Sequence, residues 1–257
     1  MAEALIKALI AGGVFTQGSI RCSEPVETRR KYLEENYGIR TYEQNDQAVS
    51  GAHVIVLAVK PQVMDVVLAD LKSEITNHQL VISIAAGVTI AQLEAGLGEG
   101  IRVIRVMPNT PALVGEGAAA LCKGSGVPDS DMEKALKLFR AVGKAVEVPE
   151  SLMDAVTGLS GSGPAYCFLF IEALIQAGIR EGLPRPVASE LAIQTVVGSA
   201  RMCQQTGRHP EELVSMVTSP GGTTIHGIYH LHRGSMFGAI MDAVRAATDR
   251  SRQLGDE

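Results

Sequence analysis

Val54-Ile55-Val56-Leu57-Ala58-Val59 is an unbroken apolar run. A strand with one wet face alternates apolar and polar residues. A run without alternation, rich in β-branched side chains, predicts a strand buried on both faces of a parallel sheet. Two similar runs follow, Leu80-Val81-Ile82-Ser83-Ile84 and Arg102-Val103-Ile104-Arg105-Val106. Helical patterns over 62–71 and 89–95 separate the three. Upstream, residues 2–11 read as a helix stopped by Gly12-Gly13, 19–22 as a short strand, and Pro25 opens a helix over 26–36. Downstream, 118–121 and 145–148 are weaker strands around a helix at 131–141, with Ser130-x-x-Glu133 as its expected capping box. Strand and helix alternating at this rhythm predict a doubly wound, parallel, Rossmann-like α/β sheet.

The pattern changes near Pro149, after which no strand signal appears. Residues 164–181 are apolar almost all round, so this helix is expected to be buried in a bundle or between subunits. Gly182 stops it. A second long helix spans 185–205, with Ala192, Gly198, Ser199 and Ala200 small enough for close packing. Further helices follow Pro210 and cover 224–231 and 235–253. The expected layout is a dinucleotide-binding domain over 1–150 and a helical domain over 151–257.

Composition bounds the partners. Hydrophobic residues make up 46% of the 257, enough for a large core. Aromatics are only 4%, Trp is absent and the net charge is -5, which argues against a nucleic-acid or anionic-membrane partner. Cys22, Cys122, Cys167 and Cys203 are scattered without metal spacing and read as small buried hydrophobes in a reducing compartment. The start lacks a basic leader, and no stretch approaches the ~18 consecutive apolar residues of a membrane span. A cytoplasmic protein is expected. His226 and His230 share a helix face, but no third ligand stands at suitable spacing, so no metal is expected.

Two stretches could carry chemistry. Ligands of open parallel sheets bind beyond the carboxyl ends of the strands. There the chain reads Lys60-Pro61, Ala85-Ala86-Gly87 and Met107-Pro108-Asn109-Thr110-Pro111, small or sharply turning residues that leave room for a flat ligand. The second stretch is Val217-Thr218-Ser219-Pro220-Gly221-Gly222-Thr223-Thr224-Ile225-His226. It is a helix N-terminus stripped of bulk. Bare amides and hydroxyls at such an end suit an anion such as a carboxylate. Ser160-Gly161-Ser162-Gly163-Pro164 is another stripped helix start, but its spacing is not that of a nucleophile elbow.

Ala58-Val59-Lys60-Pro61-Gln62, Ala85-Ala86-Gly87-Val88, Val106-Met107-Pro108-Asn109-Thr110-Pro111, Thr157-Gly158-Leu159-Ser160-Gly161-Ser162-Gly163-Pro164-Ala165-Tyr166 and Ser219-Pro220-Gly221-Gly222-Thr223-Thr224 occur in this order. Over essentially its whole length the chain resembles the pyrroline-5-carboxylate reductases. The resemblance implies hydride transfer from NADPH, or NADH, to the C=N carbon of pyrroline-5-carboxylate, giving L-proline. It implies that Ser23, Asn45, Ala58, Val59, Lys60, Pro61, Ala85 and Ala86 line the dinucleotide, with Asn109 and Thr110 by the nicotinamide. The Ser219 hydroxyl and the amides of Gly222, Thr223 and Thr224 would hold the substrate carboxylate, with Gly221 also at the substrate, and the Thr224 hydroxyl would contact the ring nitrogen as the catalytic contact. It further implies homodimers assembled into a larger ring such as a decamer. The family opens with a strand and a G-x-G-type loop for the pyrophosphate. Met1-Ala2-Glu3-Ala4 matches the helix after that loop, so the strands at Ser19 and Val54 are each expected to lack a hydrogen-bonding neighbour, and dinucleotide binding to be weakened. Two other readings remain open at this point. One is a catalytically impaired relative without the pyrophosphate loop. The other is a dehydrogenase of another small acid, although no Lys follows Lys144 to serve the hydroxyacid chemistry. Cofactor preference is also open: Glu24 could bond a ribose hydroxyl, or Arg21, Arg29 or Arg30 could pair a 2′-phosphate.

Overall fold

The computed structural model describes residues 1–256. They form two compact units, residues 1–162 joined by the chain's end from 245, and residues 163–244. The first unit holds α1 (Ala2–Ala11), β1 (Arg21–Ser23), α2 (Glu27–Tyr37), β2 (Arg40–Tyr42), α3 (Asn45–Val49), β3 (Val54–Leu57), α4 (Met64–Leu71), β4 (Leu80–Ser83), α5 (Ile90–Leu97), β5 (Arg102–Met107), β6 (Gly117–Lys123), α6 (Asp129–Arg140), β7 (Gly143–Glu147) and α7 (Met153–Val156). Strand β2 and helix α3, short and polar, carry no apolar period and were not expected from the sequence.

The main sheet runs β3-β4-β5-β6-β7. Every pair is parallel except β5 with β6. A parallel return needs a crossover of about a dozen residues. The link over 108–116 contains only the 3-10 turn Thr110–Val114, so β6 comes back antiparallel. The non-alternating strands are buried as their sequences require: all four residues of β4 are buried. Leu80, Ile82, Ile104 and Val106 face a core closed by Leu5, Leu136 and Phe139 of α1 and α6. Val81 and Val103 face the opposite core, with Ile55, Leu57, Leu68, Leu71, Leu93 and Leu97.

β1 and β2 form a separate two-stranded parallel sheet. Among the described residues, β1 pairs only with β2 and β3 only with β4, the split expected above. It corrects the reading of β3 as buried on both faces: Val56 is 37% exposed, because β3 is an edge. The capping box also lies elsewhere. Ser130 falls inside α6, whose N-cap is Pro128. The box that forms is Thr89 with Gln92, at the start of α5.

An ion-pair network ties α1 to α2. Glu3 pairs with Arg29 and accepts hydrogen bonds from the Tyr37 hydroxyl at 2.6 Å and the Tyr32 hydroxyl at 3.1 Å. These donors, Tyr37 first and then Arg29, hold the Glu3 carboxyl down at about 2, and the same carboxylate pushes Tyr37 up to about 12. A depressed carboxyl stabilises the fold above its ordinary value near 4.5 and loses that contribution as pH falls toward 2. Melting of wild type and Glu3→Gln between pH 6 and about 2.5 checks this: the variant is expected to lose less of its stability on acidification.

The second unit is helical: α8 (Gly163–Arg180), α9 (Arg185–Thr206), α10 (Pro210–Met216), α11 (Thr223–Arg233) and the first part of α12 (Met236–Asp256). α8 and α9 pack through Ile175, Ala188 and Ala192. Of the small residues expected to pack closely, Ala192 does so, while Gly198 has open space around it; Gly178 of α8 also lies close to Ala188. Of the two coverings expected for α8, a bundle within one protomer is not the one found, since only Ile175 of that helix is buried there. Phe168 and Leu169 are 63% and 71% exposed. By length and mean hydropathy of 1.3, residues 150–180 would suffice to cross a membrane. The count of consecutive apolar residues missed this, because a mean tolerates an interruption such as Glu172. All four cysteines are free thiols, but only Cys122 is buried, with burial pushing its thiol up to about 12.

Candidate functional site

The register aligns the carboxyl ends of β3, β4 and β5, with Leu57 opposite Ser83 and Ser83 opposite Arg105. The segments after them therefore meet at one end of the sheet. Ala58 and Lys60 are exposed, and Pro61 starts a 3-10 turn that turns the chain into α4. After β4, the fully buried Ser83 hydroxyl accepts from the Ala85 amide at 3.4 Å, which shapes the Ala85-Ala86 turn. After β5 come Asn109 and the exposed Thr110.

Asn109 is engaged by its own protein. Its carbonyl oxygen accepts from the Ala118 amide at 2.8 Å, and its amide nitrogen donates to the Ser160 carbonyl at 3.2 Å. Ser160 belongs to a π-helical turn, Thr157–Gly161, of the kind often found at functional sites. Gly161 packs closely under β5: an added Cβ would lie 2.5 Å from the Met107 methyl, so that flexible side chain would have to shift. The Ser160–Gly161 stretch read only as a stripped helix start thus forms one wall at the end of β5.

Ser23 and Asn45 are brought together: the Ser23 hydroxyl donates to the Asn45 side-chain oxygen at 2.8 Å, at the end of β1 and the start of α3. Among the described residues no hydrogen bond of the Asn45 amide nitrogen is found beside that of its oxygen, and Lys60 is exposed. Half-buried or mouth-side polar groups left open in this way fit an adenosine and a phosphate or amide group of a dinucleotide.

Two site-supporting residues were not foreseen. Arg105 of β5 is buried and reaches Glu150 at 3.1 Å, and the same carboxylate oxygen accepts from the Ile90 amide at 2.8 Å at the start of α5. A polar residue inside an apolar strand was the available signal. Glu150→Ala would leave the Arg105 charge buried without a partner. Because Glu150 is itself partly exposed, the expected loss is about 2 kcal/mol, below the roughly 3–5 kcal/mol of a fully buried pair, read as a shift in the denaturation midpoint.

Ser219, Gly221, Gly222, Thr223 and Thr224 belong to the other unit, at the start of α11. Gly221 has φ 69°, a left-handed turn that glycine adopts freely. The turn closes through the Gly222 amide, which donates to the Ser219 carbonyl at 3.1 Å. The Ser219 hydroxyl then lies over Gly222, where an added Cβ would stand 2.2 Å from it. Gly222 is the N-cap and caps nothing with a side chain. The first amides of α11 therefore remain free for an anion, beside the Ser219 and Thr224 hydroxyls.

Comparison with known proteins identifies the family. Residues 150–254 match the family model for pyrroline-5-carboxylate reductase dimerisation, and residues 1–87 the one for NADP oxidoreductase, coenzyme F420-dependent. The chain is 49% identical over 255 residues to a pyrroline-5-carboxylate reductase of Methanosarcina acetivorans, covering 99% of this chain and 94% of that one. It is 43% identical over 254 residues to the Arabidopsis thaliana enzyme of that name, covering 99% and 92%. Among solved structures, the Coxiella burnetii pyrroline-5-carboxylate reductase superposes with TM-score 0.93 at 38% identity, over 98% of this chain and 94% of that one. The Plasmodium falciparum enzyme, solved with NADP bound, gives 0.88 at 33%, over 98% and 94%. With relatives this similar along nearly its entire length, the chain belongs to the pyrroline-5-carboxylate reductase family.

Proposed function

We infer that this chain reduces pyrroline-5-carboxylate to L-proline, the closing step of proline synthesis, with NADPH or NADH as reductant. The observation that carries the reading is the start of α11, which has no side-chain cap and has the Ser219 hydroxyl against Gly222, the donors a carboxylate would need. Residues 1–150 serve the dinucleotide and residues 151–257 the substrate and subunit contacts. Ser23 and Asn45 hold the adenosine ribose. Ala58, Val59, Lys60 and Pro61 line the dinucleotide with Ala85 and Ala86, whose small side chains let it lie flat. Thr110 and the backbone of Asn109 border the nicotinamide, and the Asn109 side chain keeps that wall in place through Ser160. When bound, the dinucleotide supplies the hydride. The protein's part is to orient and to exclude water, which can account for much of such a rate. The Ser219 hydroxyl and the Thr223 and Thr224 amides would hold the carboxylate, the bare Gly221-Gly222 turn letting it approach while the Gly222 amide closes that turn, and the Thr224 hydroxyl would contact the substrate's ring nitrogen. No metal enters the scheme.

The assembly is a homodimer, proposed to associate further into a ring such as a decamer. The exposed apolar surface of α8 supports subunit burial better than membrane or nucleic-acid contact, since it falls inside the dimerisation match and the chain is acidic overall. Free thiols on the surface support a cytoplasmic setting.

Thr224→Ala and Ser219→Ala test the reading. Each is expected to raise KM for pyrroline-5-carboxylate and lower kcat/KM by about 10- to 100-fold, the worth of one hydrogen bond to a charged or developing-charge group. Dinucleotide affinity should not move. Wild-type kinetics in both variants would remove the site from the mechanism.

A further inference from the structure

From residue 245 the chain's end belongs to the first unit, and there α12 buries a polar face. Thr248 and Ser251 are 7% and 3% exposed. With Gly255 they stand at i, i+3 and i+7, on one side of the helix. A buried hydroxyl needs a partner. That of Ser251 donates to the Asp154 carboxylate at 2.7 Å. Asp154 lies in α7, which runs directly into the π-helical turn whose Ser160 carbonyl accepts from Asn109. Three residues beyond Ser251, the helix end meets the Ala85-Ala86-Gly87 turn. Gly87 has φ 80°, and a Cβ on it would stand 3.5 Å from the Leu254 Cβ and 3.6 Å from the Leu254 carbonyl oxygen. A Cβ on Gly255 would stand 3.3 Å from the Gly87 carbonyl oxygen. The Gly255 carbonyl also accepts from the Gln92 side chain of α5, loosely, at 3.5 Å.

We propose that Ser251 and Asp154 are positioning residues for the dinucleotide: their bond fixes the end of α12, and Leu254 and Gly255 then back the Gly87 turn against which the dinucleotide lies. The inference rests on the dinucleotide reading above and adds what holds that turn in shape. Two alanines and a glycine leave the dinucleotide room, but they offer no side-chain hydrogen bonds of their own, and glycine is the most mobile residue of the backbone. The turn's shape therefore depends on what packs behind it. On the inner side this is the Ser83 hydroxyl, which accepts from the Ala85 amide. At Gly87 it is the backbone of Leu254 and Gly255, close enough that Gly255 has no room for a larger residue without a shift. Because Ser251 is bonded to α7, the same helix end braces the turn after β4 and the wall after β5. A binding site keeps its geometry only when such a supporting layer is fixed.

The full-length protein is compared with Ser251→Ala, Ser251→Asp, Gly255→Leu and the double variant Ser251→Asp/Asp154→Asn. Each is titrated with NADPH, and KM for pyrroline-5-carboxylate is measured at saturating NADPH. Ser251→Asp sets two carboxylates face to face, which drives the helix end off α7. Gly255→Leu presses a side chain against the Gly87 carbonyl. Both are expected to weaken NADPH by about tenfold or more, while KM for pyrroline-5-carboxylate stays within about twofold. Ser251→Ala loses the bond but keeps the packing and falls between. In the double variant the asparagine amide donates to the new carboxylate, and NADPH affinity should return to within about threefold of wild type. A role in stability alone would impair both ligands together. NADPH affinity unchanged in Ser251→Asp or in Gly255→Leu, KM for pyrroline-5-carboxylate rising in step with it, or no recovery in the double variant overturns the proposal. Wild-type protein that binds no dinucleotide overturns instead the proposed function on which it stands.

Discussion

Gly222→Ala is expected to raise KM for pyrroline-5-carboxylate by about 10- to 100-fold while the protein melts within a few degrees of wild type. The reasoning is geometric. Gly222 sits at φ -77°, ψ 173°, which alanine adopts without strain, so the helix start survives. The new methyl would stand 2.2 Å from the Ser219 hydroxyl and 3.3 Å from the Ser219 carbonyl. The carbonyl is held by the turn, but the hydroxyl is the end of a short rotor and gives way. Its rotation removes one donor from the carboxylate and puts a methyl where the ligand approaches the amides. The loss is one of binding geometry, so dinucleotide affinity should be unchanged. A variant that binds substrate normally would mean that the carboxylate is held elsewhere.

Leu169→Asp is expected to break the assembly. Leu169 is 71% exposed in one protomer, so an aspartate there costs the isolated chain little. If the dimer covers this part of α8, the same aspartate is buried without a partner, a penalty of several kcal/mol. Association should weaken by at least about a hundredfold, since each 1.4 kcal/mol is a factor of ten. Sedimentation equilibrium of wild type and variant reads it directly. Unchanged assembly would place the subunit contact on another helix.

The sheet was legible where burial erases alternation. β4 and β5 stand where their apolar runs put them, but the second compact unit begins at Gly163, past the residue-150 boundary where strand signals end, and the chain from 245 returns to the first unit. β2 and α3 were not legible, because Arg40-Thr41-Tyr42 and Asn45-Asp46-Gln47 owe their structure to pairing and packing with β1. The antiparallel return of β6 depends on the length of a link, which no strand pattern encodes. α8 read as buried because its sequence has no polar face, whereas one protomer leaves most of it exposed. At the site, the stretches that turn sharply with small residues did gather at one sheet end, since parallel register aligns them. The part Asn109 plays did not show: its partners Ala118 and Ser160 lie far along the chain, and only the fold brings them together. Arg105 and Glu150 were missed for the same reason.

The central claim is the reaction. Purified protein mixed with pyrroline-5-carboxylate and either NADPH or NADH, with nicotinamide absorbance followed and the product identified by chiral chromatography, tests it most directly. The account predicts substrate-dependent oxidation of the dinucleotide, one equivalent of L-proline for each equivalent consumed, and a drop in both with Thr224→Ala. Oxidation that does not depend on pyrroline-5-carboxylate, or consumption that yields no proline, would contradict it.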